Sequence, residues 1–207
     1  MVESQIRTNK VTDPGLLGAL LDIPRERFVP LALQGIAYVD DDLDLGGGRF
    51  LMEPMVMARL IQIAEPRAGD KALVIGCSSG YSAAVLGRLC ACVVAVETDR
   101  TLASQAAHTL ADLALTNATI EHGALDEGCA ARGPYDVILF DGAIEILPEE
   151  VLDQLAEGGR LAAVVNERGV GRGTLVVRRG GVISRRPVFD AAVPALPGFG
   201  VPPSFVF

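Results

Sequence analysis

Residues 71–97 read KALVIGCSSGYSAAVLGRLCACVVAVE, and they constrain the fold more than any other stretch of the chain. Lys71–Ile75 is a short apolar run, and Gly76-Cys77-Ser78-Ser79-Gly80 supplies a turn. Tyr81–Leu89 has helical apolar spacing, and Val93–Val96 is a β-branched run that stops at Glu97. Strand, glycine turn, helix and second strand make a parallel unit of an α/β sheet. An acid about 20 residues past such a turn suits a sheet that grips the two hydroxyls of a ribose. A nucleoside-type cofactor is the expectation. The other reading of the same residues is an ordinary strand–turn–helix corner, with Glu97 as a solvated strand end.

Three nucleoside ligands compete for this turn. A dinucleotide needs glycine at the first, third and sixth positions, so that backbone approaches a pyrophosphate and the helix packs close. Ser78 and Tyr81 stand at the third and sixth. A nucleotide-hydrolase phosphate loop needs Lys followed by Ser or Thr after its last glycine, and Tyr81-Ser82 stands there. S-adenosylmethionine carries no phosphate, so its turn must only bend sharply and present amides to a small zwitterion. Gly-x-x-x-Gly with Ser78 inside meets that demand. A nicotinamide-dependent reductase is therefore the weaker rival.

Composition narrows the partners. With 26 acids against 18 Lys and Arg, the net charge is −8. Nucleic-acid binders show the reverse balance, with basic residues clustered on one face. Here the densest basic cluster, Arg178-Arg179 with Arg185-Arg186, flanks a Gly-Gly turn, so no nucleic-acid partner is expected. No apolar run approaches the roughly 18 residues of a membrane span, and MVESQIRTNK lacks the apolar core of a secretory signal. A cytoplasmic location without membrane contact is the expectation. Cys77, Cys90, Cys92 and Cys129 lack the paired spacings of a zinc site and read as reduced, mostly buried hydrophobes. No metal is expected.

The 207 residues suit one domain, with residues 1–66 as a helical and loop extension on a sheet-bearing region at 67–207. Asp13–Ile23 is predicted as a helix capped by Thr12 or Asp13, with Pro14 as its first residue. Residues 24–30 form a punctuated connector, and Tyr38–Leu45 with Gly46-Gly47-Gly48 a flexible loop. Pro54–Ile63 is apolar on most faces and predicts a buried helix. Alternating units follow: strand 71–75, helix 81–90, strand 92–97, helix 100–113, strands 118–122 and 134–140, helix 148–156 and strand 159–165. Thr174–Arg178 and Gly181–Phe189 suggest a hairpin around Gly180-Gly181. Val193–Phe207 is expected to wrap the surface or supply an edge strand.

With these landmarks placed, the chain resembles the protein-L-isoaspartate O-methyltransferase family over nearly its whole length. The resemblance lies in MVESQI with Pro24-Arg25-x-x-Phe28-Val29-Pro30, and in Ala37-Tyr38-Val39-Asp40 before a Gly-rich loop and a Pro-headed helix. Gly80-Tyr81-Ser82-Ala83-Ala84-Val85-Leu86 is similar to the family's first cofactor motif. Tyr135-Asp136 through Pro148, and Gln154-Leu155 with Gly158-Gly159-Arg160-Leu161, are similar to later blocks. The resemblance implies a class I S-adenosylmethionine-dependent methyltransferase, with a Rossmann-like, mostly parallel α/β sheet and helices on both faces. It implies cofactor contacts at Gly76, Cys77, Ser78, Ser79, Gly80 and Tyr81 of the turn, at Glu97 and Thr98, at Ala124 and Leu125, and at Asp141. It also implies a protein or peptide carboxylate as acceptor, with a small molecule as the alternative, held near Met52 and Glu53 before the Pro54 helix. Protein repair by carboxyl methylation is the function implied.

Four departures from the family's pattern alter that expectation. The family's Thr-Ile-Ser-Gln-Pro-like loop is Phe50-Leu51-Met52-Glu53-Pro54, so a thioether stands where a hydroxyl belongs and offers no donor. An acid usual two residues before the turn is Val74, the middle glycine is Ser78, and Gly-Asp-Gly after the third strand is Gly123-Ala124-Leu125. Each carboxylate lost from beside a cationic group forfeits about 1.5–3 kcal/mol where shielded. Asp141, and Glu53 in the loop, are the compensating acids expected. Their plainer roles are a turn former before Gly142 and an acid near a helix N-terminus. Methyl transfer to a carboxylate needs no general base, because the nucleophile is already ionised and rate comes from alignment and water exclusion. A non-catalytic protein that keeps the fold is the alternative.

Overall fold

The computed structural model describes residues 1–200. Asp13 accepts from the Leu16 amide at 2.7 Å and caps helix α1, Pro14–Asp22. A small hairpin follows, β1 (Leu43–Gly46) with β2 (Arg49–Leu51). Gly47 and Gly48 turn it with φ of 62° and 73°, the left-handed pair that a tight hairpin requires. The segment expected as a flexible loop is therefore partly a ribbon. Leu43 and Leu51 are buried partners across it, and their burial fixes what the glycine-rich composition concealed.

Helix α2 (Pro54–Ala64) leads into the sheet: β3 (Lys71–Ile75), α3 (Tyr81–Gly87), β4 (Cys92–Glu97), α4 (Arg100–Asp112), β5 (Ala118–His122), β6 (Tyr135–Ile144), α5 (Glu149–Leu152), β7 (Leu155–Glu167), β8 (Val170–Arg179) and β9 (Val182–Asp190). The spatial order is β5-β4-β3-β6-β7-β8-β9, parallel from β5 to β7 and antiparallel for the last two strands. Alternation along the strands separates two cores. Ala72, Val74, Val93 and Ala95 meet side chains of α1–α4, including Leu16, Leu60, Leu86 and Leu110. Leu73, Ile75, Val94 and Val96 meet Leu125, Val151 of α5, Leu196 and Phe199. Helices thus lie on both faces of a doubly wound sheet.

Several boundaries differ from the sequence expectation: the helix expected over 81–90 ends at Gly87, the strand expected over 159–165 runs Leu155–Glu167, and the first strand of the expected hairpin begins at Val170 rather than Thr174. The helix expected over 148–156 stops at Leu152, because Leu155 already pairs with Tyr135 in the sheet. Gln154 secures that transition, accepting from Cys129 N at 2.9 Å and donating to Glu127 O at 2.7 Å. β6 continues past Phe140 to Ile144, with a register shift between Leu139 and Ala143. Beyond the shift Ala143 and Ile144 pair with Val164 and Val165 of β7 on one side, and on the other a C-terminal strap bonds Ala143, whose N donates to Pro194 O at 2.9 Å and whose O accepts from Leu196 N at 2.7 Å. Val193–Gly200 therefore crosses the sheet's carboxyl edge, and the rest of that expected tail, 201–207, lies outside the described residues. Among the described residues no helix is long and apolar enough to cross a membrane.

Candidate cofactor and active site

The chain winds outward from β3 to β4 and β5, then returns to β6 on the other side of β3. In an open α/β sheet that reversal leaves a crevice at the carboxyl ends of the two strands, where ligands collect. The expected residues gather there. The Gly76–Tyr81 turn follows β3, Glu97 ends β4, and Asp141 lies on β6. Gly76 and Gly80 hold φ of 72° and 94°. Ser78 also sits in the left-handed region at 54°, with its hydroxyl buried and unpartnered. Glycine carries no such conformational cost, which explains the strain of a serine here.

Glu97 is fully buried and its carboxylate accepts from five N–H groups: Arg49 Nε and Nη2, Ser78 N, Thr98 N and Asp99 N, at 2.7–3.1 Å. A carboxylate offers about four lone-pair sites, so this one is saturated from inside the protein. Arg49 donates further to Gly76 O at 2.8 Å. The turn's amides face inward as well: Gly76 N and Cys77 N both donate to Val96 O, and Gly80 N to Cys77 O.

Asp141 is buried and accepts from Ser82 Oγ at 2.6 Å. Burial pushes its carboxyl up to about 6, while Ser82 and the Arg49 and Arg25 guanidiniums pull the other way. Arg25 is the largest fully buried side chain, donating to Ala37 O and Met52 O at 2.7 Å each. Its guanidinium lies 4.9 Å from the Tyr81 ring centroid, and burial lowers its pKa.

The substrate-loop positions diverge. Met52 is buried in the α1–α4 core, so its thioether is packing and its carbonyl serves Arg25. Glu53 is half-buried ahead of α2, its amide donating to Asp42 Oδ1 at 2.8 Å. Burial, then Asp42, Asp40 and Asp41, push the Glu53 carboxyl up to about 7. Ala124 is exposed, whereas Leu125 packs in the second core. Thr98 is exposed and meets Glu97 through its amide. A half-open cavity of about 540 Å³ lies beside the turn, between Phe28, Gly47, Ser79 and the first turns of α4. Sequence reasoning missed Arg49 and Leu196. The signal for Arg49 was a single cation closing the Gly46-Gly47-Gly48 run, and nothing local marked Leu196.

Fold and site define the class: a Rossmann-like class I methyltransferase. The family model described as protein-L-isoaspartate(D-aspartate) O-methyltransferase matches residues 1–191. A protein-L-isoaspartate O-methyltransferase of Methanoculleus marisnigri is 36% identical, covering 97% of this chain and 91% of that protein. A solved structure titled protein-L-isoaspartate O-methyltransferase aligns with a TM-score of 0.82 at 26% identity, covering 96% of this chain and 66% of its own. One from Plasmodium falciparum, a putative member in complex with S-adenosyl-L-homocysteine, shares the fold with a TM-score of 0.78 at 21% identity. The chain belongs to the protein-L-isoaspartate O-methyltransferase family, whose members are S-adenosylmethionine-dependent enzymes that methylate protein carboxylates.

The glycine turn, Glu97 and Asp141 converge on one crevice at the carboxyl edge of the sheet, where ligands of such folds collect. The side chains above it do not fit the methyl donor as they stand. A Cβ on Gly76 would meet Leu196 Cδ2 at 2.6 Å and Arg49 Nη2 at 2.9 Å, so both side chains already occupy the space over the turn.

Proposed function

We propose that this protein methylates a carboxylate on a protein or peptide, and that its altered loop selects acceptors by their flanking charge rather than taking any isoaspartyl residue. The observation that carries this reading is the 50–54 loop: a buried Met52 and an acid-crowded Glu53 replace the hydroxyl-bearing run. A carboxylate acceptor is ionised near neutral pH and needs no base, which agrees with a site assembled without histidine. Asp40, Asp41, Asp42 and Glu53 place negative charge at the loop, so they disfavour acceptors flanked by acids and favour neutral or basic flanks. On this reading Asp141 would face the donor's positive sulfur, and Glu97 would meet the donor only after Arg49 releases it. Four free cysteines support a cytoplasmic setting.

The test is methyl release from isoaspartyl peptides with acidic, neutral and basic flanks, and from matched peptides with ordinary aspartate. Basic flanks are expected to exceed acidic ones at least threefold, with an acid-flanked isoaspartyl peptide near background. Equal turnover of all isoaspartyl peptides, at a rate normal for a working repair enzyme, would refute selection by flanking charge.

A further inference from the structure

Beside the turn the 540 Å³ cavity at Ser79 and α4 stays open, but the space directly over the ends of β3 and β6 is filled by the protein itself. Leu196 is buried, and its side chain lies over both strand ends. A Cβ on Gly142 would meet Leu196 Cδ2 and Cγ at 2.7 Å, and one on Gly76 would meet Cδ2 at 2.6 Å. What remains between Arg49, Met52, Asp141, Gly142 and Leu196 is a cavity of about 10 Å³. That volume holds one water at most, whereas ligand pockets run to roughly 300–1,000 Å³. Arg49 completes the filling. Its Nε and Nη2 donate to Oε1 and Oε2 of Glu97 at 3.1 and 2.9 Å. A two-pronged donor thereby takes the place that a ribose diol takes against such an acid.

We propose that Arg49 and Leu196 are a built-in occupant of the donor cradle, and that S-adenosylmethionine or its demethylated product enters only when the strap lifts and Arg49 leaves Glu97. This rests on the reading that the cradle is the donor's site. Among the described residues the strap is tied to the sheet edge at few points. Its bonds to the sheet edge are Ala143 N to Pro194 O, Leu196 N to Ala143 O and Glu145 N to Phe199 O, with Phe199 packed edge-on against Phe140 at 5.4 Å. Ala143 and Ala195 form one isolated bridge rather than a continuous strand. Apparent affinity is then the open-state affinity reduced by the open fraction. Loosening either occupant raises it.

The probe is S-adenosylhomocysteine, titrated calorimetrically into the full chain, with amide hydrogen exchange read in parallel. Leu196→Ala is expected to bind at least tenfold tighter than wild type, and Arg49→Gln to tighten binding in the same direction. In the unmodified chain, saturating ligand is expected to deprotect the Ala143, Glu145 and Leu196 amides. That measurement stands whatever the folding of the variants. Wild type and Leu196→Ala binding equally tightly, with the three amides still protected, would overturn the built-in occupant and leave the donor site intact. No binding by any variant at millimolar ligand, with wild-type amides unchanged, would overturn the donor-site reading, and the occupant's role falls with it.

Discussion

Removing the guanidinium of Arg49 takes the counter-charge from Glu97, the most heavily bonded side-chain carboxylate among the described residues. Arg49→Met keeps much of the apolar stem and deletes the two bonds to Glu97, at 3.1 and 2.9 Å, and the one to Gly76 O at 2.8 Å. Both partners are buried, with side chains 4% and 0% exposed. Breaking such a pair from one side costs about 3–5 kcal/mol, because the other charge stays buried. Glu97 retains the Ser78, Thr98 and Asp99 amides, which places the expected loss at the lower end, about 3 kcal/mol. In a chain of this size that lowers Tm by about 6–12 °C. Urea unfolding at pH 7 of wild type, Arg49→Met, Glu97→Gln and the double variant completes a double-mutant cycle. The double variant is expected to lose less than the sum of the singles, since no unpaired charge remains. A loss under about 1 kcal/mol for Arg49→Met, or strict additivity, would show that the pair does not hold the cradle as described.

Glu53 titrates at about 7 in the folded chain against an ordinary value of 4.5. A raised acid stabilises the fold fully below its unfolded pKa and loses that contribution as pH rises through the folded one. Stability therefore falls between about pH 4.5 and 7, and Glu53→Gln should remove about 1 kcal/mol of that total fall, after discount for partial exposure. An unchanged slope in denaturant titrations across that range would contradict the burial-driven shift. Ser82→Ala deletes the 2.6 Å bond that lowers Asp141, so carboxyl NMR should find the Asp141 midpoint moved up from about 6. A fixed or lower midpoint would refute that coupling. Ser78→Gly removes a left-handed serine and a buried unpartnered hydroxyl, and should raise unfolding free energy by about 1–2 kcal/mol. A neutral or destabilising result would mean that Ser78 Oγ has a function the fold needs.

The sheet was legible because its signal is local. Lys71–Ile75, Cys92–Glu97 and Ala118–His122 occupy the spans that their apolar runs predict. Asp13-Pro14 announces its helix by capping chemistry that needs no tertiary context. The misread boundaries depend on distant partners. Leu155 joins a strand because Tyr135 lies opposite, and β6 outruns Phe140 because Val164 and Val165 of β7 pair with Ala143 and Ile144 while the strap bonds Ala143 from the other side. Gly46-Gly47-Gly48 looks loose in sequence, yet Leu43 and Leu51 pin it into a hairpin. In the site, the order of turn and acid identified the crevice. Sequence alone did not show that Glu97 is satisfied, since its strongest partner lies 48 residues earlier.

Arg49 explains how the cradle holds a buried acid after the departures at Val74, Ser78 and Ala124. A site built to grip a cation and a diol concentrates negative charge, and an isolated buried carboxylate is costly unless a donor or counter-charge meets it. Glu97 and Asp141 both lie within that crevice, and Arg49 lowers Asp141 electrostatically while bonding Glu97 directly. The hairpin matters because it is short: Gly47-Gly48 reverses the chain just before Arg49 and delivers a guanidinium to the end of β4. Leu196 then closes the apolar side, against the two glycines whose missing Cβ atoms leave the space. The polar and apolar halves of the filling come from opposite ends of the chain. They meet only at the reversal point between β3 and β6, where the fold concentrates ligand contacts. Whatever affinity the protein has for its methyl donor is therefore set as much by what must leave the crevice as by what lines it.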